Sequence, residues 1–210
     1  MAVAEPRGVR ILVIDAIRGL AIALMILDHS LAAIEESGYV SSLVEYSRLT
    51  MTRFSMPLFM LASGLIWATH GLKIHRWGQV LIWAIFLNAI TRVLWPEFNF
   101  PEILLVWTAL AIAWKLIVRF PITIMIIGYT QITFWSVPWS GYQPGELAIF
   151  LGAGVLAARA PWEKIWKTRK TERIVGTLAL LGRYPLSIYG VHLLVLSLIV
   201  AALNNRLPGF

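Results

Sequence analysis

The chain has 210 residues, 59% hydrophobic and only 14% charged, with a mean hydropathy of +0.74, a balance that excludes an ordinary soluble globular domain. Its net charge of +7 is carried in short joints between apolar runs, a distribution that argues against a nucleic-acid partner. No cysteine is present, which excludes disulfides and thiolate metal sites.

The first apolar run, Ile11–Ile34, is long enough to cross a bilayer, yet it carries Asp15, Arg18, Asp28 and His29. Ionisable groups in hydrocarbon cost a few kcal/mol each and usually face a protein interior. Arg18 and His29 are eleven positions apart, about three helical turns, so they lie within ~20° of one face and ~16 Å apart along the axis. Asp15 precedes Arg18 by one turn and shares that face. One wall of this helix is therefore a polar track. Its length and internal charges also argue against a cleavable leader.

Further spans are predicted over Phe54–His70, Gly78–Trp95, Ile103–Val118, Pro121–Val137, Pro144–Arg159 and Pro185–Leu203, which makes seven in all. Ile174–Leu181 either extends the last span or lies in the interface. Span two places Pro57 in its first turn, where a missing N–H matters little, and Ser63–Gly64 permits close helix contact. Asn88, Tyr129 and Gln131 sit at depths suited to line a cavity near His29. Glu146, just after Pro144, suits a helix N-terminus. The joint WEKIWKTRKTER reads as an interfacial amphipathic helix, with indoles at the headgroups and cations toward phosphate.

Placing the N-terminus in the cytoplasm puts roughly thirteen Lys and Arg on the inner side and four outside, the positive-inside pattern. The acidic residues Glu35, Glu36, Glu45, Glu97 and Glu102 then fall outside. The expected architecture is an all-α, polytopic transmembrane helical bundle of about seven spans, N-in and C-out, forming one domain over residues 1–210. Membrane lipids are its surroundings, and a homo-oligomer is left open. No internal repeat of the transporter kind is visible.

His29, in the outer half of its span, is the main candidate for chemistry, because imidazole accepts a proton near neutral pH or carries an acyl group transiently. Asp28 points ~100° away around the helix and does not automatically orient His29. Asp15 and Arg18 neutralise each other, or Arg18 meets an anion, whose oxygens its forked guanidinium suits. In RYPLSIYGVHLL, the Tyr184–Ser187–Tyr189–His192 set supplies polar groups to the last span. Counted from the start of that span, His192 lies at the depth of Arg18 and is expected beside Asp15 and Arg18 rather than His29. The competing reading for each residue is structural: a buried histidine bonded to a carbonyl, or an ion pair closed on itself. No set of residues has metal-ligand spacing.

RILVIDAIRGLAIALMILDH resembles the opening helix of the transmembrane acyltransferase superfamily. The likeness is to the catalytic domain of heparan-alpha-glucosaminide N-acetyltransferase and its bacterial relatives. It extends to acyltransferase-3 proteins, which share an Arg and a His with ten residues between them, and to TraX-type pilin acetylases. MPLFMLASGLIWA, ELAIFLGAGVLAAR and LGRYPLSIYGVHLL resemble further helices of that superfamily. The resemblance implies a multi-pass protein, of a bacterial inner membrane, that takes an acyl group from cytoplasmic acetyl-CoA. The acceptor would be a glycan, lipid or protein amine. His29 matches the catalytic histidine, with Arg18 and Asp15 as its supporting polar pair, and Asp28 beside it is a further catalytic candidate. A basic rim of Lys73, Arg76, Lys164, Lys167, Arg169 and Lys170, together with Arg18, Tyr189 and His192, would bind the CoA. A transporter or flippase with a polar intramembrane track, and a non-catalytic accessory bundle, are the rival readings.

Overall fold

The computed structural model describes residues 7–36, 42–94, 103–135, 143–160 and 169–203. Among the described residues every regular element is a helix: α1 (Arg7–Glu36), α2 (Ser42–His70), α3 (Ile74–Leu94), α4 (Ile103–Ile112), α5 (Trp114–Arg119), α6 (Pro121–Phe134), α7 (Pro144–Ala157), α8 (Arg169–Arg183) and α9 (Pro185–Leu203). Two of them, over Leu12–Glu35 and Ser42–His70, are long and apolar enough to cross a membrane, and the α8–α9 pair makes a third if its two bent halves form one span.

The structure moves several expected boundaries. Helix α2 starts at Ser42, so most of the stretch between the first two predicted spans is helical, and Pro57 lies inside α2 rather than in its first turn. The polar residues 42–53 remain helical because one face of them packs on α1, where Arg48 meets the acids of that helix. An interior proline is tolerated when neighbouring helices buttress the freed backbone. The span expected over Ile103–Val118 is divided at Ala113 into α4 and α5. Pro121 and Pro144 open α6 and α7 at the first helical position, where proline lacks only an N–H that would be unpaired anyway. Ile174–Leu181 belongs to a helix of its own, α8, which meets α9 at a bend of 75° across Tyr184.

Three apolar clusters hold the bundle. Met60, Trp67, Trp107, Ile117, Leu147 and Leu151 join α2, α4, α5 and α7; Ala84, Leu87, Leu104 and Tyr189 join α3, α4 and α9; Ala16, Val175 and Ala179 join α1 to α8. Where helices cross most closely the side chain is a single hydrogen. A Cβ on Gly19 would overlap the carbonyl oxygen of Leu178, and one on Gly182 would overlap that of Asp15, so the two glycines face each other across the α1–α8 contact. Gly64 and Gly154 do the same between α2 and α7. Small residues of this kind let helix backbones touch within a bilayer, where water exclusion gives no help.

Replacing Gly182 by Leu is expected to force α1 and α8 apart, at a cost of about 1–3 kcal/mol or more, seen as a lowered melting midpoint of the detergent-solubilised protein. Gly176→Ala on the same helix meets nothing within 4 Å and should leave the midpoint unchanged or slightly raised.

Candidate functional site

Three polar features follow one another along α1. At the Asp15–Arg18 level lies a cavity of about 710 Å³. Its rim carries Lys73, Arg76 and Gln79 from the α2–α3 turn and α3, and Arg183, Tyr184 and Ser187 from the α8–α9 bend. Its inner wall is aromatic, with Phe59, Trp67, Trp83, Trp107 and Tyr189. Arg18 and Asp15 project into it, their Nη1 and Oδ1 atoms 3.5 Å apart. That is a loose pair, and with Lys73, Arg76 and Arg183 around a single carboxylate the cavity is cationic. Trp107 is locked in the wall: its Nε1–H donates to the Ser63 hydroxyl at 3.1 Å, and that hydroxyl donates to the Phe59 carbonyl at 3.0 Å.

The second feature is a histidine pair. His29 Nδ1 lies 2.9 Å from His192 Nε2, and the two rings are tilted by only 16°. His192 Nδ1 is 3.0 Å from the Ile188 carbonyl, one turn back along α9. Tyr189 connects this pair to the cavity, since its ring lines the cavity and also meets the His192 ring edge-on at 5.6 Å. Neither histidine lines the cavity itself.

His192 is therefore not beside Asp15 and Arg18 as depth counting had it. The register is set by the Gly19–Gly182 contact rather than by the start of α9. From that contact His29 is ten residues along α1 and His192 ten residues along the α8–α9 chain, so the two imidazoles arrive together.

The third feature lies toward the end of α1. Asp28 is buried, at 6% exposure, and its Oδ1 sits 3.7 Å from Arg48 Nε; Arg48 Nη1 donates to Glu35. Asp28 thus engages α2 through Arg48, and does not orient His29.

Of the other expected residues, Lys73, Arg76 and Tyr189 line the cavity. Lys164 and Lys167 lie outside the described residues, as do Trp162 and Trp166, while Arg169 and Lys170 stand in the first turn of α8 with side chains that are not described. Asn88, Tyr129 and Gln131 are not among the residues that line the cavity. Asn88 donates to Ala84 O within α3, Tyr129 is 65% exposed on α6, and Gln131 accepts from the Gly145 N–H, tying α6 to α7. Glu146 does occupy the first turn of α7. Polar cavity residues the sequence did not single out include His70, Gln79 and Arg183. Only for Arg183 was a signal present, since it directly precedes the Tyr–Pro break.

Residues 11–78 match the family model described as an acyltransferase domain. Over this stretch the chain is similar to acyltransferase-3 proteins. The matched segment contains Asp15, Arg18, Asp28 and His29, the whole polar track of α1, together with α2, the turn with Lys73 and the start of α3 with Arg76. The late segments ELAIFLGAGVLAAR and LGRYPLSIYGVHLL lie beyond it. No curated protein and no solved structure matches the chain. The acyltransferase-like segment covers the two helices that are long and apolar enough to cross a membrane.

Ser63→Ala should leave the buried Trp107 N–H without a partner, a loss of about 1–3 kcal/mol in chemical unfolding. Ser63→Thr, which keeps the hydroxyl, should recover part of it.

Proposed function

We propose that the protein transfers an acyl group, acetyl in the simplest case, from acyl-CoA at the inner face to a hydroxyl or amine acceptor approaching from the other side, with His29 as base or acyl carrier. The observation that carries this reading is the cationic cavity that ends one aromatic ring from a histidine pair. Its volume is that of a small-molecule site, in the range of roughly 300–1,000 Å³, with an exposed charged rim and an apolar interior. CoA has the matching polarity, with phosphates at one end and a thioester at the tip of a long arm.

In this reading Lys73, Arg76 and Arg183 hold phosphate oxygens by charge-assisted hydrogen bonds, and the unmatched half of Arg18 guides the arm inward. The thioester carbon then approaches the histidines past Tyr189. His29 takes the proton from the acceptor as its oxygen or nitrogen bonds to the acyl carbon. The carbon–sulfur bond breaks, and the departing thiolate recovers that proton from the imidazolium, leaving CoA thiol and the acylated acceptor. Acylation of His29 itself, followed by transfer, uses the same atoms in two steps.

The orientation fits the charge pattern. Asp15, Arg18, the His70–Arg76 turn and Arg183 all gather at the cavity end of the bundle, while Glu35 and Arg48 lie toward the other end of α1. With the cationic end in the cytoplasm, as positive-inside sorting requires, the donor enters from the compartment that supplies acyl-CoA. In this reading the shorter apolar helices would bring the bundle to about seven spans, N-in and C-out, in a bacterial inner membrane.

The test is transfer of labelled acetyl from acetyl-CoA by protein in nanodiscs, with glycan, lipid and amine acceptors compared. His29→Ala should lower kcat by on the order of 10²–10⁴-fold while donor binding persists. Arg76→Gln with Arg183→Gln should raise the donor KM roughly tenfold or more with kcat little changed. Equal labelling by wild type and His29→Ala would remove His29 from the reaction.

A further inference from the structure

We propose that His192 is a positioning residue, whose work is to hold His29 in the tautomer that leaves its Nε2 lone pair free. The argument follows the hydrogens outward from a group with no choice. The Ile188 carbonyl can only accept, so His192 Nδ1, 3.0 Å from it, carries the hydrogen of that contact. A neutral imidazole has one N–H, so His192 Nε2 then bears a lone pair. That lone pair faces His29 Nδ1 at 2.9 Å, and two lone pairs cannot meet at such a distance. His29 Nδ1 must therefore be the donor. Its own single hydrogen is thereby committed, and Nε2 is left as the base.

The geometry around the pair serves this assignment. The 16° tilt between the rings lets the His29 N–H lie close to the plane of the His192 lone pair. The edge-on contact with Tyr189 restrains His192 from a third side, and Tyr189 is itself 7% exposed, so the restraint is a packed one. When Nε2 takes a proton, the Nδ1–H···Nε2 bond to His192 becomes charge-assisted and strengthens. This is the arrangement of a base oriented by a third group, with an imidazole and a backbone carbonyl in the place commonly held by a carboxylate. It also removes the need for Asp28 in that role, in keeping with the contact of Asp28 to Arg48.

The tautomer follows from the contacts alone; its consequence for rate rests on the acyl-transfer reading of His29 above. The two are separated by measuring both on full-length protein in nanodiscs, as wild type, His192→Gln and His192→Phe. In ¹⁵N-histidine spectra of the wild type, His29 should show a protonated Nδ1 and an unprotonated Nε2. His192→Phe, which has no acceptor, should scramble that signature and lower kcat on the order of 10²-fold, the scale of a misdirected general base, with the donor KM held within about threefold. His192→Gln, whose side-chain oxygen can accept from Nδ1–H, should restore the signature and recover at least about tenfold of the rate.

A wild-type spectrum with His29 protonated at Nε2 overturns the proposal. So does a His192→Phe protein, folded by its melting midpoint, that keeps the wild-type signature and kcat. If no variant, wild type included, transfers acyl groups, the acyltransferase reading fails, and the wild-type spectrum still decides the tautomer.

Discussion

The backbone contact between Gly19 on α1 and Gly182 on α8 governs how the rest of the site is assembled. Neither position has room for a methyl group, because each would drive a Cβ into a carbonyl oxygen of the facing helix. In a bilayer, where lipid tails compete equally with any apolar side chain, helices associate through such tight packing and through polar contacts. Once the two glycines are opposed, the path of the chain through Arg183 and the 75° bend is constrained. Arg183 and Tyr184 reach the rim of the cavity, and α9 carries Tyr189 to its wall and His192 to His29.

The polar groups of α1 thereby acquire distinct surroundings in place of one continuous track. Asp15 and Arg18 face an open, cationic cavity, and their pairing is loose enough to leave the guanidinium donors for an anion. His29 faces another imidazole, which is itself bonded to a carbonyl. Asp28, on a different face of the same helix, is absorbed by a charge network with Arg48 and Glu35 that joins α1 to α2. A buried carboxylate with a guanidinium nearby is the ordinary way a membrane helix accommodates such a group. The polar groups nearest to one another in sequence, Asp28 and His29, are therefore separated in role by the 100° that one residue turns in a helix.

Tyr189 stands at the boundary between the cavity and the histidines. It lines one, touches the other, and is held by Ala84, Leu87 and Leu104 in the cluster that unites α3, α4 and α9. The next residue, Gly190, has no side chain because the Trp83 ring occupies the space a Cβ would need, and Trp83 is also part of the cavity wall. The cavity wall is thus made of aromatic rings fixed by core packing, and the Tyr189 ring lies between it and His192.

What the sequence determined by itself is the class of the molecule and the identity of its most polar apolar helix. Apolar runs interrupted by proline and basic joints can only be satisfied as membrane helices, and four ionisable groups within Ile11–Ile34 must face protein rather than lipid. The likeness of that helix to an acyltransferase domain was legible because a single-helix motif depends on local spacing alone, and the matched stretch 11–78 covers it. The sequence did not determine which side chains of later helices join it. Depth counted from the start of α9 placed His192 with Arg18, and depth counts placed Gln131 and Tyr129 near His29; packing overruled both, since α6 is tied to α7 and the α8–α9 register is set one helix earlier. The physical reason is that helix registry in a bundle comes from the points of closest backbone approach, and which of fifteen glycines serve as those points is decided only when the helices meet.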